Sequence, residues 1–78
     1  MKKIIVYGPG CLKCKQTQEL IRRVLSENQI AADLEKVSDL KAMVAAGIML
    51  TPAVVIDGVV KLTGRVPKAE EVKKWLVE

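Results

Sequence analysis

The chain begins with an unbroken apolar run, Ile4-Ile5-Val6-Tyr7, placed between Lys2-Lys3 and the break Gly8-Pro9-Gly10. A β-rich stretch without polar alternation predicts a strand over 2–7 that is covered on both faces and therefore central in its sheet. Beyond the break the period changes. Leu20, Ile21, Val24 and Leu25 recur at helical spacing, with Arg22, Arg23 and Glu27 on the other side. This predicts about four turns of helix from near Leu12 to near Asn28. From Ala32 to Val37 the pattern alternates weakly, Ile30, Ala32 and Leu34 falling on one face and Asp33 and Glu35 on the other, which suits an edge strand. A second helix is expected to start at Ser38 or Asp39, to bury Leu40, Met43 and Val44, and to stop at Gly47.

Asp57-Gly58 separates two apolar runs, Ala53–Ile56 and Val59–Thr63. That dipeptide tolerates the positive φ angles of a type I′ turn, so the two runs predict a hairpin. The last helix is expected to place Pro67 at its first position, Glu70 and Glu71 in its first turn and Lys73 and Lys74 toward its end, as the helix dipole favours. Ala69, Val72, Trp75 and Leu76 would form its buried stripe. The element order is then βαβαββα. A right-handed crossover makes the first two strands parallel, and the hairpin extends the sheet on the other side of the first strand. The expectation is an α/β fold with a four-stranded mixed sheet of order 2-1-3-4. Three helices cover its two faces, the second helix lying opposite the other two.

At 78 residues the chain has room for one domain, 1–78. It contains no histidine, which removes Ser-His and Cys-His nucleophile pairs and imidazole metal ligands. Thirteen basic against 9 acidic side chains give a net charge of +4, but the lysines are dispersed and only one Trp and one Tyr are present to stack on bases, so nucleic acid is not an expected partner. No apolar span has the length of a membrane helix and the opening run is too short for a signal-peptide core, so no membrane association and a cytoplasmic location are expected. In that compartment thiols are kept reduced, and a cysteine pair points to catalysis or metal binding before structure.

The pair is Cys11-Leu12-Lys13-Cys14, at the junction of the first strand and first helix. Three residues of helix separate Cα atoms by about 5 Å, inside the disulfide window of roughly 4.4–6.8 Å. A bridge closing so short a loop contributes only about 2 kcal/mol as a staple, so a reversible redox role fits better. Cys11 precedes the helix proper, where unpaired amides, the dipole and nearby Lys13 and Lys15 favour a thiolate and lower the thiol pKa from about 8.5. It is the expected nucleophile. Cys14 falls seven residues before Ile21, on the inward face, where burial raises a thiol pKa and suits a resolving cysteine. Two buried inert thiols, or a soft-metal site holding Cu(I) or sharing Zn²⁺ across a dimer, are the alternatives.

The βαβαββα order, the CxxC after the first strand, Thr51-Pro52 before the hairpin and Gly64 after the last strand resemble the thioredoxin/glutaredoxin superfamily. More narrowly, the sequence resembles the superfamily's small thioredoxin-like members, the redox-active disulfide protein 2 family. The resemblance implies that Pro52 is the cis-proline lying against the cysteine pair and that the Thr51 backbone hydrogen-bonds an extended substrate segment. On the residues alone, an ordinary trans-proline that starts a strand also fits. The sequence departs from thioredoxins in its Gly10-Cys11-Leu12-Lys13-Cys14 motif, in place of Trp-Cys-Gly-Pro-Cys, and in having no carboxylate in the first strand. It departs from glutaredoxins in Gly64-Arg65-Val66, where a Gly-Gly pair and acidic residues usually bind glutathione.

The expected activity is thiol-disulfide exchange by Cys11 and Cys14 with a protein disulfide. A separate reductase would restore the dithiol, and the working form would be a monomer with no metal or organic cofactor. Leu50, Thr51, Pro52, Gly64 and Lys13 are the candidate substrate contacts. Ile48, Met49 and Leu50 form either an apolar docking rim or core under the loop. Trp75 is read as core, and Lys2, Lys3, Lys13, Lys15, Lys61 and Arg65 as a solvated basic face near the site. Two other functions remain open. One is a soft-metal carrier of the Gly-x-Cys-x-x-Cys kind on a βαββαβ scaffold; the other is a noncatalytic interaction module that retains the fold.

Overall fold

The first apolar run forms β1 (Lys2–Tyr7), which has a neighbour on each edge in a computed structural model describing residues 2–9 and 12–77. α1 (Leu12–Glu27) follows, then β2 (Ala32–Val37), α2 (Leu40–Ala45), β3 (Ala53–Ile56), β4 (Val59–Thr63) and α3 (Ala69–Val77). Among the described residues the sheet order is β2-β1-β3-β4, as expected. β1 and β2 run parallel from Lys2↔Ala32 to Tyr7↔Val37, and β1 meets β3 antiparallel from Ile4↔Ile56 to Tyr7↔Ala53. Asp57 and Gly58 take φ values of 51° and 82°, the two positive angles a type I′ hairpin turn demands. The β3–β4 register shifts between Val54 and Val55, which face Leu62 and Val60 and leave Lys61 as the extra residue of a bulge.

The strand period of two divides the core. Ile4 and Val6 of β1 and Val54 and Ile56 of β3 pack with Ile21 and Val24 of α1 and Val72 and Leu76 of α3. Tyr7, Ala53 and Val55 point to the other side and pack with Met43 of α2 and with Ile48, while Ile5 and Val37 lie against them. α2 thus covers the face opposite α1 and α3. Both faces are filled, which is why β1 and β3 carry no polar alternation.

Two helices differ in detail from the sequence reading. In α2 Met43 is buried, whereas Leu40 and Val44 are 71% and 70% exposed. A six-residue helix presents a narrow stripe, and it sits on its Ala42–Met43 side because Ile48, whose amide donates to the Met43 carbonyl at 2.8 Å, supplies the neighbouring apolar cover. Its start is as expected, Asp39 capping it by accepting from the Lys41 amide at 3.1 Å. In α3 the first intrahelical bond runs from the Val72 amide to the Lys68 carbonyl at 3.1 Å, so Lys68 is the N-cap and Pro67 lies outside the helix, buried. Glu71, at the third helical position, accepts from the Lys68 amide at 3.0 Å, half of a capping box that fixes this start. Ala69 is consequently exposed, and Val72 and Leu76 carry the buried stripe with Trp75 half-buried beside them. No helix among the described residues is long and apolar enough to cross a membrane.

Candidate active site

β1 ends at Tyr7, and the ladder to β2 continues for one more residue, the Gly8 amide donating to the Val37 carbonyl at 2.9 Å. The chain then turns into α1, whose first turn carries Cys14. That side chain is fully buried. The inward direction follows from the helical period, which returns from Cys14 to Thr17, Ile21 and Val24, all buried. Thr17 has no solvent exposure, and its hydroxyl donates to the Lys13 carbonyl at 2.8 Å, so the buried oxygen is satisfied within the helix.

Gly8 makes room for the sulfur. A Cβ at this residue would overlap Cys14 Sγ, would stand 3.0 Å from Cys14 Cβ, and would reach Thr51 Cβ at 3.9 Å. The end of the central strand, the cysteine in the first helical turn and the loop before β3 therefore meet around one missing methyl group. Any larger side chain would push them apart.

The Thr51–Pro52 peptide bond is cis. Pro52 is buried, and its carbonyl accepts from the Gly64 amide at 3.0 Å, tying the loop before β3 to the loop after β4. Gly64 has φ of 86°, and a Cβ there would lie 3.4 Å from Leu50 Cδ1, so the Leu50 side chain rests against it. Both the angle and the close approach call for glycine. In the Ile48-Met49-Leu50 stretch Ile48 is core, whereas Met49 and Leu50 are 93% and 61% exposed.

The structure thus brings together Cys14, Thr51, Pro52, Leu50 and Gly64. Lys13 is exposed in the same helical turn as Cys14, its carbonyl taken by Thr17. Cys11, the expected nucleophile, and Gly10 lie outside the described residues, and with them the spacing and activation anticipated for the pair.

The basic face expected around the site is smaller than supposed. Lys2 and Lys3 stand at the opposite end of β1, and Lys3 Nζ lies 3.6 Å from Glu35 Oε2. Arg65 is engaged by Glu71 through two parallel bonds, Nη1 to Oε1 at 2.8 Å and Nη2 to Oε2 at 2.7 Å. That fork, with the Lys68 amide, holds the Glu71 carboxyl down at about 2 and raises the Arg65 pKa in turn. Lys13 and Lys15 remain as exposed cations on the first turn of α1.

Sequence reasoning treated Gly8 as a chain break and overlooked Thr17 and the fork. Thr17 was detectable as a polar residue three after Cys14 on the apolar stripe. The fork joins residues six apart across a helix start, a spacing with no helical or strand signature.

Comparison with known proteins agrees with this geometry. Residues 2–77 match the thioredoxin domain family. A thioredoxin of Methanothermobacter thermautotrophicus is 37% identical over 76 residues, covering 97% of this chain and 99% of that protein. A thioredoxin of Methanocaldococcus jannaschii is likewise 37% identical over 76 residues, covering 97% of this chain and 87% of its own length. Fold order, the cis-proline loop beside a buried cysteine and similarity along nearly the whole chain converge: the chain belongs to the thioredoxin domain family.

Proposed function

We propose that the protein is a thiol-disulfide oxidoreductase that passes two electrons from the Cys11/Cys14 dithiol to a disulfide on another protein. The Cys11 thiolate attacks one sulfur of the partner disulfide, forming a mixed disulfide and releasing the other partner sulfur as a thiolate. The Cys14 thiol gives up its proton, which the released thiolate can take, and its sulfur attacks Cys11. The mixed disulfide breaks, the second partner sulfur leaves as a thiolate that takes a proton from water, and Cys11–Cys14 remains as a disulfide. A reductase or a small dithiol then returns two electrons and two protons.

The observation that carries this reading is the burial of Cys14 Sγ against Gly8, one residue layer from Thr51 and the cis Pro52 bond. A sulfur so placed is shielded from an incoming disulfide, as a resolving thiol must be. The thioredoxin names of both relatives support the same chemistry. A soft-metal carrier on a βαββαβ scaffold has a different element order from the βαβαββα found here.

The test is capture with Cys14→Ser protein, which can attack but cannot resolve. It should retain protein partners through a reducible bond to Cys11, while Cys11→Ser retains none and neither variant turns over a protein disulfide. Capture of nothing by Cys14→Ser, or turnover undiminished in Cys11→Ser, would refute the proposal.

A further inference from the structure

We infer that Arg65 and Glu71 are positioning residues: their fork fixes the Gly64 loop, and through it the Thr51–Pro52 segment and Leu50, for the binding of a partner protein. This rests on the redox reading and specifies how the same site holds its substrate. The connection is short. Arg65 follows Gly64, the Gly64 amide donates to the Pro52 carbonyl at 3.0 Å, and Leu50 Cδ1 lies 3.4 Å from the β position of Gly64. The far end of the fork is anchored, because Glu71 sits on α3, whose Val72 and Leu76 are buried in the core.

A single surface ion pair would carry little weight, since side-chain entropy and solvent screening offset most of its attraction. This one has bidentate geometry with both contacts under 3 Å, and the same carboxylate also accepts from the Lys68 amide at 3.0 Å. Three bonds to one carboxylate hold both ends of the segment 65–68, so rotation of the backbone at Arg65 strains the fork. Rotation there would turn the Gly64 amide away from Pro52 and release Leu50. These contacts run through Gly64, Pro52 and Leu50, the partner-facing side of the site. Loss of the fork should therefore weaken the docking of a protein substrate and leave the attack on a small disulfide unchanged.

The experiment compares wild type with Glu71→Gln, Arg65→Gln and Arg65→Lys, each checked to be folded at the assay temperature. Two substrates are used, insulin as a protein disulfide and 5,5′-dithiobis(2-nitrobenzoate) as a small one. Protection of the Gly64 amide against hydrogen exchange is measured in the same samples. Each variant should raise KM for insulin about fivefold with kcat nearly unchanged, the upper end of what an exposed ion pair contributes. The rate with the small disulfide should stay at the wild-type value, and Gly64 exchange should quicken about tenfold. Arg65→Lys should resemble Arg65→Gln, because an ammonium keeps the charge but cannot make two parallel bonds.

Unchanged insulin KM, equal slowing with both substrates, or Gly64 protection that survives loss of the fork would each overturn the inference. If wild type reduced neither substrate, the proposed activity would fall. The Gly64 exchange would still decide the clamp, accelerated exchange supporting it and unchanged exchange overturning it.

Discussion

Replacing Gly8 with alanine places a methyl group where Cys14 Sγ already stands, with Cys14 Cβ at 3.0 Å. Neither neighbour can move freely. The sulfur has no exposed surface, and the Gly8 backbone is held by its 2.9 Å bond to Val37. Overpacking of this kind costs about 1–3 kcal/mol, and with no flexible side chain to yield the upper half of that range is expected. For a domain of this size each kcal/mol lowers Tm by about 4–8 °C, so Gly8→Ala should melt at least roughly 8 °C lower. The cause is isolated by a double-mutant cycle followed by circular dichroism with dithiothreitol present. In a Cys14→Ala background the sulfur is gone and only the 3.0 Å contact between β carbons remains, so Gly8→Ala should cost less there by about 1 kcal/mol or more. Equal cost in the two backgrounds would refute the claim that the glycine exists to admit the sulfur.

Gly64→Ala should destabilise by about 1–2 kcal/mol in chemical denaturation, because φ of 86° is strained for alanine and the new methyl meets Leu50. The Glu71 carboxyl titrates near 2 in the folded protein against an ordinary 4.5, a depressed value, so the stability it contributes is complete above about pH 4.5 and is lost as pH falls toward 2. Glu71→Gln should accordingly flatten the decline of Tm across that acid window and leave any difference from wild type constant above it; parallel acid limbs would contradict the assignment. On α2, Met43→Ala should cost about 2–4 kcal/mol. Leu40→Ser and Val44→Thr, at exposed positions, should each change stability by no more than about 0.5 kcal/mol by the same denaturant assay.

Elements whose signal lies in their own residues were legible before the structure. The uninterrupted apolar run of β1, the Asp57-Gly58 turn and the helical stripe of α1 led to the observed strand order, because chain crossover rules leave few ways to assemble them. Features settled by competition between segments were not. Leu40 and Val44 have the spacing of a buried stripe, but α2 is too short to bury both sides and Ile48 fills the space beside Met43. Pro67 has the composition of a helix start, but the hydrogen bond from the Lys68 amide to Glu71 begins the helix later. At the site, Cys14, Thr51, Pro52, Leu50 and Gly64 were recognisable from motif and order. The contribution of Gly8 was not, since a required absence of atoms leaves the same trace in sequence as a simple turn. Arg65 was counted as free positive charge because its partner is fixed only when α3 folds back along the loop.

The central claim is a difference in kind between two thiols three residues apart. It is tested most directly by alkylating the reduced protein with iodoacetamide across a pH series and quantifying each cysteine separately by mass spectrometry. Cys11 should react with a midpoint below the ordinary thiol value of about 8.5, and Cys14 should react far more slowly at every pH at which the fold is intact. Equal reactivity of the two sulfurs, or faster labelling of Cys14, would contradict the account.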